Sequence, residues 1–151
     1  MTPYKQLHRH RPADGQIGDC WRTCIGCLLD LPPVEVPHFV EPHLDDGPAA
    51  TAFARRWLAS RGFGLIQFAY TGTLQGILDA QAAVNPNTYF MLGGESRSGV
   101  LHSVIARNAS IEWDPHPDEV GVIGPDKDGL YWLEFLVPSL IVAQAANGEG
   151  A

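Results

Sequence analysis

Gly18-Asp19-Cys20-Trp21-Arg22-Thr23-Cys24-Ile25-Gly26-Cys27-Leu28-Leu29 carries a polar loop into an apolar segment, with a cysteine at the junction. Cys20, Cys24, Cys27, Leu28 and Leu31 recur at helical spacing, which predicts a helix over 20–31. Asp19 stands at the N-cap position, and Pro32-Pro33 stops the run. The N-terminus of a helix has unsatisfied N–H groups and a partial positive charge. Both favour a thiolate over a thiol, so Cys20 is placed to act as a nucleophile.

Three readings of the cysteines follow. The spacing Cys20-x3-Cys24-x2-Cys27 is that of a loop holding an iron–sulfur cluster. Enzymes with that loop are built on barrels of about 200 residues or more, and this chain has 151. Zinc is the second reading, with His102 or His116 as a fourth ligand, although only Cys24-x2-Cys27 has the usual knuckle spacing. The third separates the roles: Cys20 is reactive at an exposed helix entrance, while Cys24 and Cys27 are buried core residues. On that third reading no metal or cofactor is needed.

Working outward, 151 residues suggest one domain, with an extended arm over 1–15 and a frayed tail over 144–151. A hydrophobic fraction of 45% is enough to build an ordinary core. The net charge of −7 argues against nucleic acid as a partner. The one basic cluster, Lys5, His8, Arg9, His10 and Arg11, reads as a solvated, flexible arm. Three cysteines crowded into one segment cannot staple a fold, so a reducing, cytoplasmic setting is expected. No signal peptide and no membrane span are expected, since no apolar run reaches about 18 residues. The sequence does not give the oligomeric state.

Periodicity and breakers predict helices over 49–61 and 73–83 and a strand over 65–70. Strands follow over 88–92, 100–107, 111–114 and 130–137, with a further short one at 120–123. Helices first and an antiparallel run of strands after them make an α+β pattern with two segregated layers.

A nucleophile of this kind needs a base. Of the six histidines, His8 and His10 lie in the arm, His38 and His43 in a Pro-rich loop, and His116 in the rigid Asp114-Pro115-His116-Pro117-Asp118. His102 alone sits inside an apolar strand. Pairing about the turn at Asn108-Ala109 brings Asp114 within about one rung of it. A carboxylate there fixes the imidazole tautomer and stabilises the imidazolium. The candidates are thus Cys20, His102 and Asp114. An oxyanion formed on the substrate would meet the Cys20 backbone N–H and a side-chain amide, for which Gln16 and Gln6 are alternatives. Trp21, His38 and His116 are candidates to line the cleft.

At this point the chain resembles papain-like cysteine peptidases, and more narrowly the bacteriocin-leader (double-glycine) peptidases and related small bacterial and phage proteins. The matching pieces are Gly18-Asp19-Cys20, Cys24 to Pro32, Val34 to Phe39, Leu101-His102-Ser103-Val104 and Trp113-Asp114-Pro115-His116-Pro117. They span roughly residues 16–138. The resemblance implies an N-terminal helix carrying the nucleophile, packed on an antiparallel sheet carrying His102 as base and Asp114 as orienting group. It implies a peptide or protein substrate and cleavage of a peptide or isopeptide bond through a thioester. Trp21 stands where leader peptidases usually have glycine, and Gln16 lies closer to the cysteine than their oxyanion glutamine. A deamidase or transglutaminase-like acyl transfer uses the same residues. A non-catalytic binding module on the same fold is the alternative from a different class.

Overall fold

The computed structural model describes residues 1–139; the tail expected over 144–151 lies outside them. Three helices pack on one five-stranded antiparallel sheet, an α+β architecture. The helices are α1 (Cys20–Leu29), α2 (Gly47–Ser60) and α3 (Leu74–Val84). The strands are β1 (Phe63–Tyr70), β2 (Phe90–Glu95), β3 (Leu101–Arg107), β4 (Ser110–Trp113) and β5 (Tyr131–Pro138), in the spatial order β1-β5-β2-β3-β4.

Alternation along the strands sorts the core onto two faces. Met91, Ile105 and Leu65 pack with Cys24, Ile25 and Cys27 of α1 and with Ala54 and Leu58 of α2. Phe90, Leu92, Val104, Ala106 and Leu133 pack with Ile77 and Leu78 of α3. Helices therefore cover both faces, where two segregated layers were expected. The order of elements along the chain does not determine which face a lone crossover helix takes.

The helix α1 ends before the prolines. Asp30 adopts a left-handed conformation (φ 58°), and its N–H turns back to Cys27 O and Gly26 O. Gly26 lets the returning chain approach, since a Cβ there would sit 2.6 Å from Leu31 O. Asp46 and Thr73 cap α2 and α3, accepting from Ala49 N (2.9 Å) and Gly76 N (3.1 Å). The strand expected at 120–123 is reduced to an isolated bridge between Glu95 and Gly124. β2 runs on through Gly93-Gly94 to Glu95, past the end at 92 expected for this strand.

The hairpin of β3 and β4 contains a bulge. Ala106 pairs with Ile111 but Ile105 pairs with Trp113, leaving Glu112 as the extra residue. The bulge exchanges faces: Ile111 packs with the α3-side core and Trp113, two residues on, with the α1-side core. Asp114 follows on the side of Val104 and His102.

The N-terminal segment is not a free arm, and it forms no strand. Gln6 N donates to Pro115 O at 2.9 Å and Thr2 N to Cys27 O at 3.0 Å. Trp113 Nε1 donates to Tyr4 O at 2.8 Å. Lys5 reaches Asp114 O (2.9 Å) and His116 O (3.1 Å) while lying over the Trp113 ring. Arg9 pairs with Asp118 through its guanidinium. The segment thus binds α1 to the loop after β4. The charge cluster that reads as a solvated arm is partly committed to backbone carbonyls and to two carboxylates, those of Asp118 and Glu119.

Candidate active site

Cys20 is the first residue of α1 and is partly exposed. Asp19 holds the N-cap position, yet its side chain caps nothing in α1. Its carboxylate is fully buried and accepts from His8 N (2.8 Å), Leu7 N (3.3 Å) and Arg22 Nε (2.9 Å). The helix entrance is therefore less open than Gly18-Asp19 suggests. With the cap turned away, no Asp19 oxygen takes up the first-turn N–H groups, and these point toward the cysteine end of the helix.

His102, near the start of β3, is buried, and its Nε2 lies 2.7 Å from Asp114 Oδ1. The Cys20 side chain is near enough to help raise the His102 pKa. With Nε2 held by the carboxylate, Nδ1 is the nitrogen left for the thiol. Asp114 has two further donors: His116 N on Oδ1 at 2.8 Å and Gly121 N on Oδ2 at 2.7 Å. Burial works against the imidazolium, but the hydrogen bond to Asp114 and the neighbouring Asp114 and Cys20 side chains outweigh it and raise the His102 pKa to about 9. Burial likewise opposes the Asp114 carboxylate, and the bonds from His102, His116 and Gly121 overcome it and hold its pKa below the usual value. Gly94 pairs with His102 across the ladder and has no room for a side chain, since a Cβ would lie 2.5 Å from Gly124 O.

Cys24 and Cys27 go elsewhere. Cys24 Sγ donates to Ser103 O at 3.4 Å, and Cys27 Sγ meets Tyr4 N at 3.3 Å and Tyr4 O at 3.6 Å. Burial raises both thiol pKa values, Cys24 the more strongly. Among the described residues no group of three His, Cys, Asp or Glu side chains is arranged to hold a metal ion.

These residues border a cleft of about 1060 Å³ that Cys20, His102, Gln6, Trp21 and His116 all help to line. Gln6 is buried; its Nε2 donates to His8 O at 2.6 Å, and its Oε1 is the one buried side-chain polar atom without a partner among the described residues. Gln16 does not line the cleft, and its amide lies 3.5 Å from His8 Nδ1. The distance in sequence between Gln6 and Cys20 is bridged by the docking of residues 2–8. His38 is withdrawn as well: Nε2 donates to Ile17 O (3.1 Å), Nδ1 accepts from Glu41 N (3.3 Å), and the ring stacks on His8. His116 stands edge-on to His102 with ring centroids 5.9 Å apart, and burial and the His102 charge lower its pKa.

One group escaped the sequence reading. Glu134, on β5, lines the cleft and is 5% exposed, accepting on Oε2 from Trp21 Nε1 and Gln67 Nε2, both at 3.1 Å. Burial raises its pKa. The signal was a lone carboxylate inside Tyr131-Trp132-Leu133-Glu134-Phe135-Leu136. A second hollow, of about 490 Å³ beside Leu28, Asp30, Arg61 and Tyr89, has neither a cysteine nor a histidine in its lining.

No described helix is long and apolar enough to cross a membrane. A scan against protein-family models and searches of curated proteins and of solved structures return no match to this chain.

Proposed function

We propose that the chain is a cysteine-dependent hydrolase of peptide or isopeptide bonds on a papain-like fold. The observation that carries this reading is the His102 imidazole bonded to the Asp114 carboxylate, with the Cys20 thiol nearby at a helix N-terminus and both His102 and Cys20 lining the large cleft. Support for the fold is the nucleophile helix packed on an antiparallel sheet, with histidine on one strand and aspartate just past the next.

In the proposed cycle the Cys20 proton already resides on His102, as a thiolate–imidazolium pair, and Sγ attacks the substrate acyl carbon. The Cys20 backbone N–H and the second N–H of Gln6 Nε2 stabilise the oxyanion. The imidazolium then protonates the leaving amine and a thioester remains. Water, deprotonated by His102, attacks the thioester, and collapse frees the acid and the thiol. Asp114 keeps the ring oriented and its charge balanced throughout.

The first test is alkylation by iodoacetamide near neutral pH, with sites located by mass spectrometry. Cys20 is expected to react well ahead of Cys24 and Cys27, and His102→Ala is expected to slow it. Equal reaction at Cys20 and Cys24 would remove the basis for the reading.

A further inference from the structure

Charge along the cleft departs from charge over the chain. The sequence holds 17 acidic and 10 basic side chains. The cleft lining reverses that balance, with Arg9, Arg11 and Arg55 against Asp118 and Glu134. Both acids are already engaged, Asp118 by Arg9 and Glu134 by Trp21 and Gln67. Arg11 is exposed and in no ion pair among the described residues. Arg55, also exposed, gives one donor to Gln67 Oε1 at 3.1 Å. His10 and His43 add further donors to the same lining. The cationic side chains come from separate elements, the N-terminal segment and α2. Between them the lining is apolar, with Ile17, Trp21, Val40 and Trp132. The unpartnered, buried Gln6 Oε1 lines this space too and needs an N–H donor.

We infer that the cleft takes an extended peptide segment bearing carboxylate side chains, which Arg11 and Arg55 read while a backbone N–H of the peptide satisfies Gln6 Oε1. An acidic protein with a locally cationic groove steers anionic segments into it and repels basic ones. The inference rests on the hydrolase reading for what happens to the bound peptide, but not for the binding itself.

The test separates the two. Cys20→Ala protein is titrated with fluorescein-labelled decapeptides of matched apolar content carrying three Glu, no charge or three Lys, and binding is read by anisotropy. The Glu peptide is expected to bind about tenfold or more tightly than the Lys peptide, with the gap narrowing as salt rises. Arg11→Glu combined with Arg55→Glu is expected to abolish or invert the order, and melting curves check that the exposed substitutions leave the fold intact. Equal binding of all three peptides, no binding at millimolar concentration, or an unchanged order in the double variant overturns the proposal. So does tighter binding of a short single-stranded oligonucleotide than of the Glu peptide. Failure of selective Cys20 alkylation alongside a retained preference for the Glu peptide would sink the hydrolase reading and leave this one standing.

Discussion

His102 is the residue on which the proposed chemistry turns, because its protonation state follows from its two partners. With its pKa raised to about 9, the imidazolium is present across the neutral range. Acylation needs that imidazolium to protonate the leaving amine, so kcat/KM is expected to fall as pH rises through about 9. Asp114→Asn removes the carboxylate that helps raise this pKa, so the alkaline limb moves to lower pH and kcat/KM drops about 10²–10⁴-fold. A pH profile of the variant with an unmoved limb would mean that Asp114 does not set the His102 charge. Gln6→Ala is expected to lower kcat about 10²-fold or more with little change in KM, as a lost oxyanion donor does. Gln16→Ala should leave both near their original values.

At the scale of elements, the β3–β4 bulge and Gly94 decide whether the site can form. With Glu112 present, a ladder lacking the bulge would set Asp114 opposite Ser103, on the other face from His102; deleting Glu112 regularises the ladder and keeps Asp114 opposite Val104. The deletion variant is expected to stay folded and to keep the selective reactivity of Cys20, whereas one Ala inserted between Trp113 and Asp114 turns the carboxylate to the other face and is expected to abolish it; full retention of that selectivity in the insertion variant would refute the role given to this register. Gly94→Ala drives a methyl group against Gly124 O and Val122 and should cost about 1–3 kcal/mol, measured by denaturant unfolding. Much of this level was legible in the sequence. The helical spacing of Cys20 to Leu31 and the apolar strand around His102 both carry local signals. The bulge leaves no mark in the pattern, because Ile111-Glu112-Trp113 reads as a plain alternating strand. The place of Gln6 depends on contacts with Pro115 and His8, and no local rule predicts such long-range docking. Asp19 illustrates the opposite error: it has the right identity for a cap, yet tertiary demand from His8, Leu7 and Arg22 takes its carboxylate away.

For the whole molecule, the shifted groups make stability lean toward the acid side of neutrality. His102 has a raised pKa in the fold, so its contribution is complete below its unfolded value of about 6.5 and disappears as pH climbs to about 9. Glu134, Cys24 and Cys27 are acids with raised pKa values, so each also favours the fold less as pH rises past its ordinary range. Asp114 acts in the other direction: its lowered pKa adds stability above the usual carboxylate value that is lost on acidification below it. The melting temperature is therefore expected to peak between about pH 4.5 and 6.5 and to fall steadily toward pH 10. A flat profile from pH 6 to 10 would contradict the coupling of these groups to folding.

The docked N-terminal segment also orders events in time during synthesis. Lys5 and Gln6 wait for Asp114 and Pro115, which the ribosome adds about a hundred residues later, several seconds or more at ordinary elongation speeds. Cys20 likewise emerges long before the His102 that would deprotonate it. On the proposed mechanism a nascent chain therefore carries its thiol without its base or its carboxylate, and with Gln6 made but not yet docked, and stays chemically quiet toward neighbouring polypeptides until the hairpin of β3 and β4 has been made.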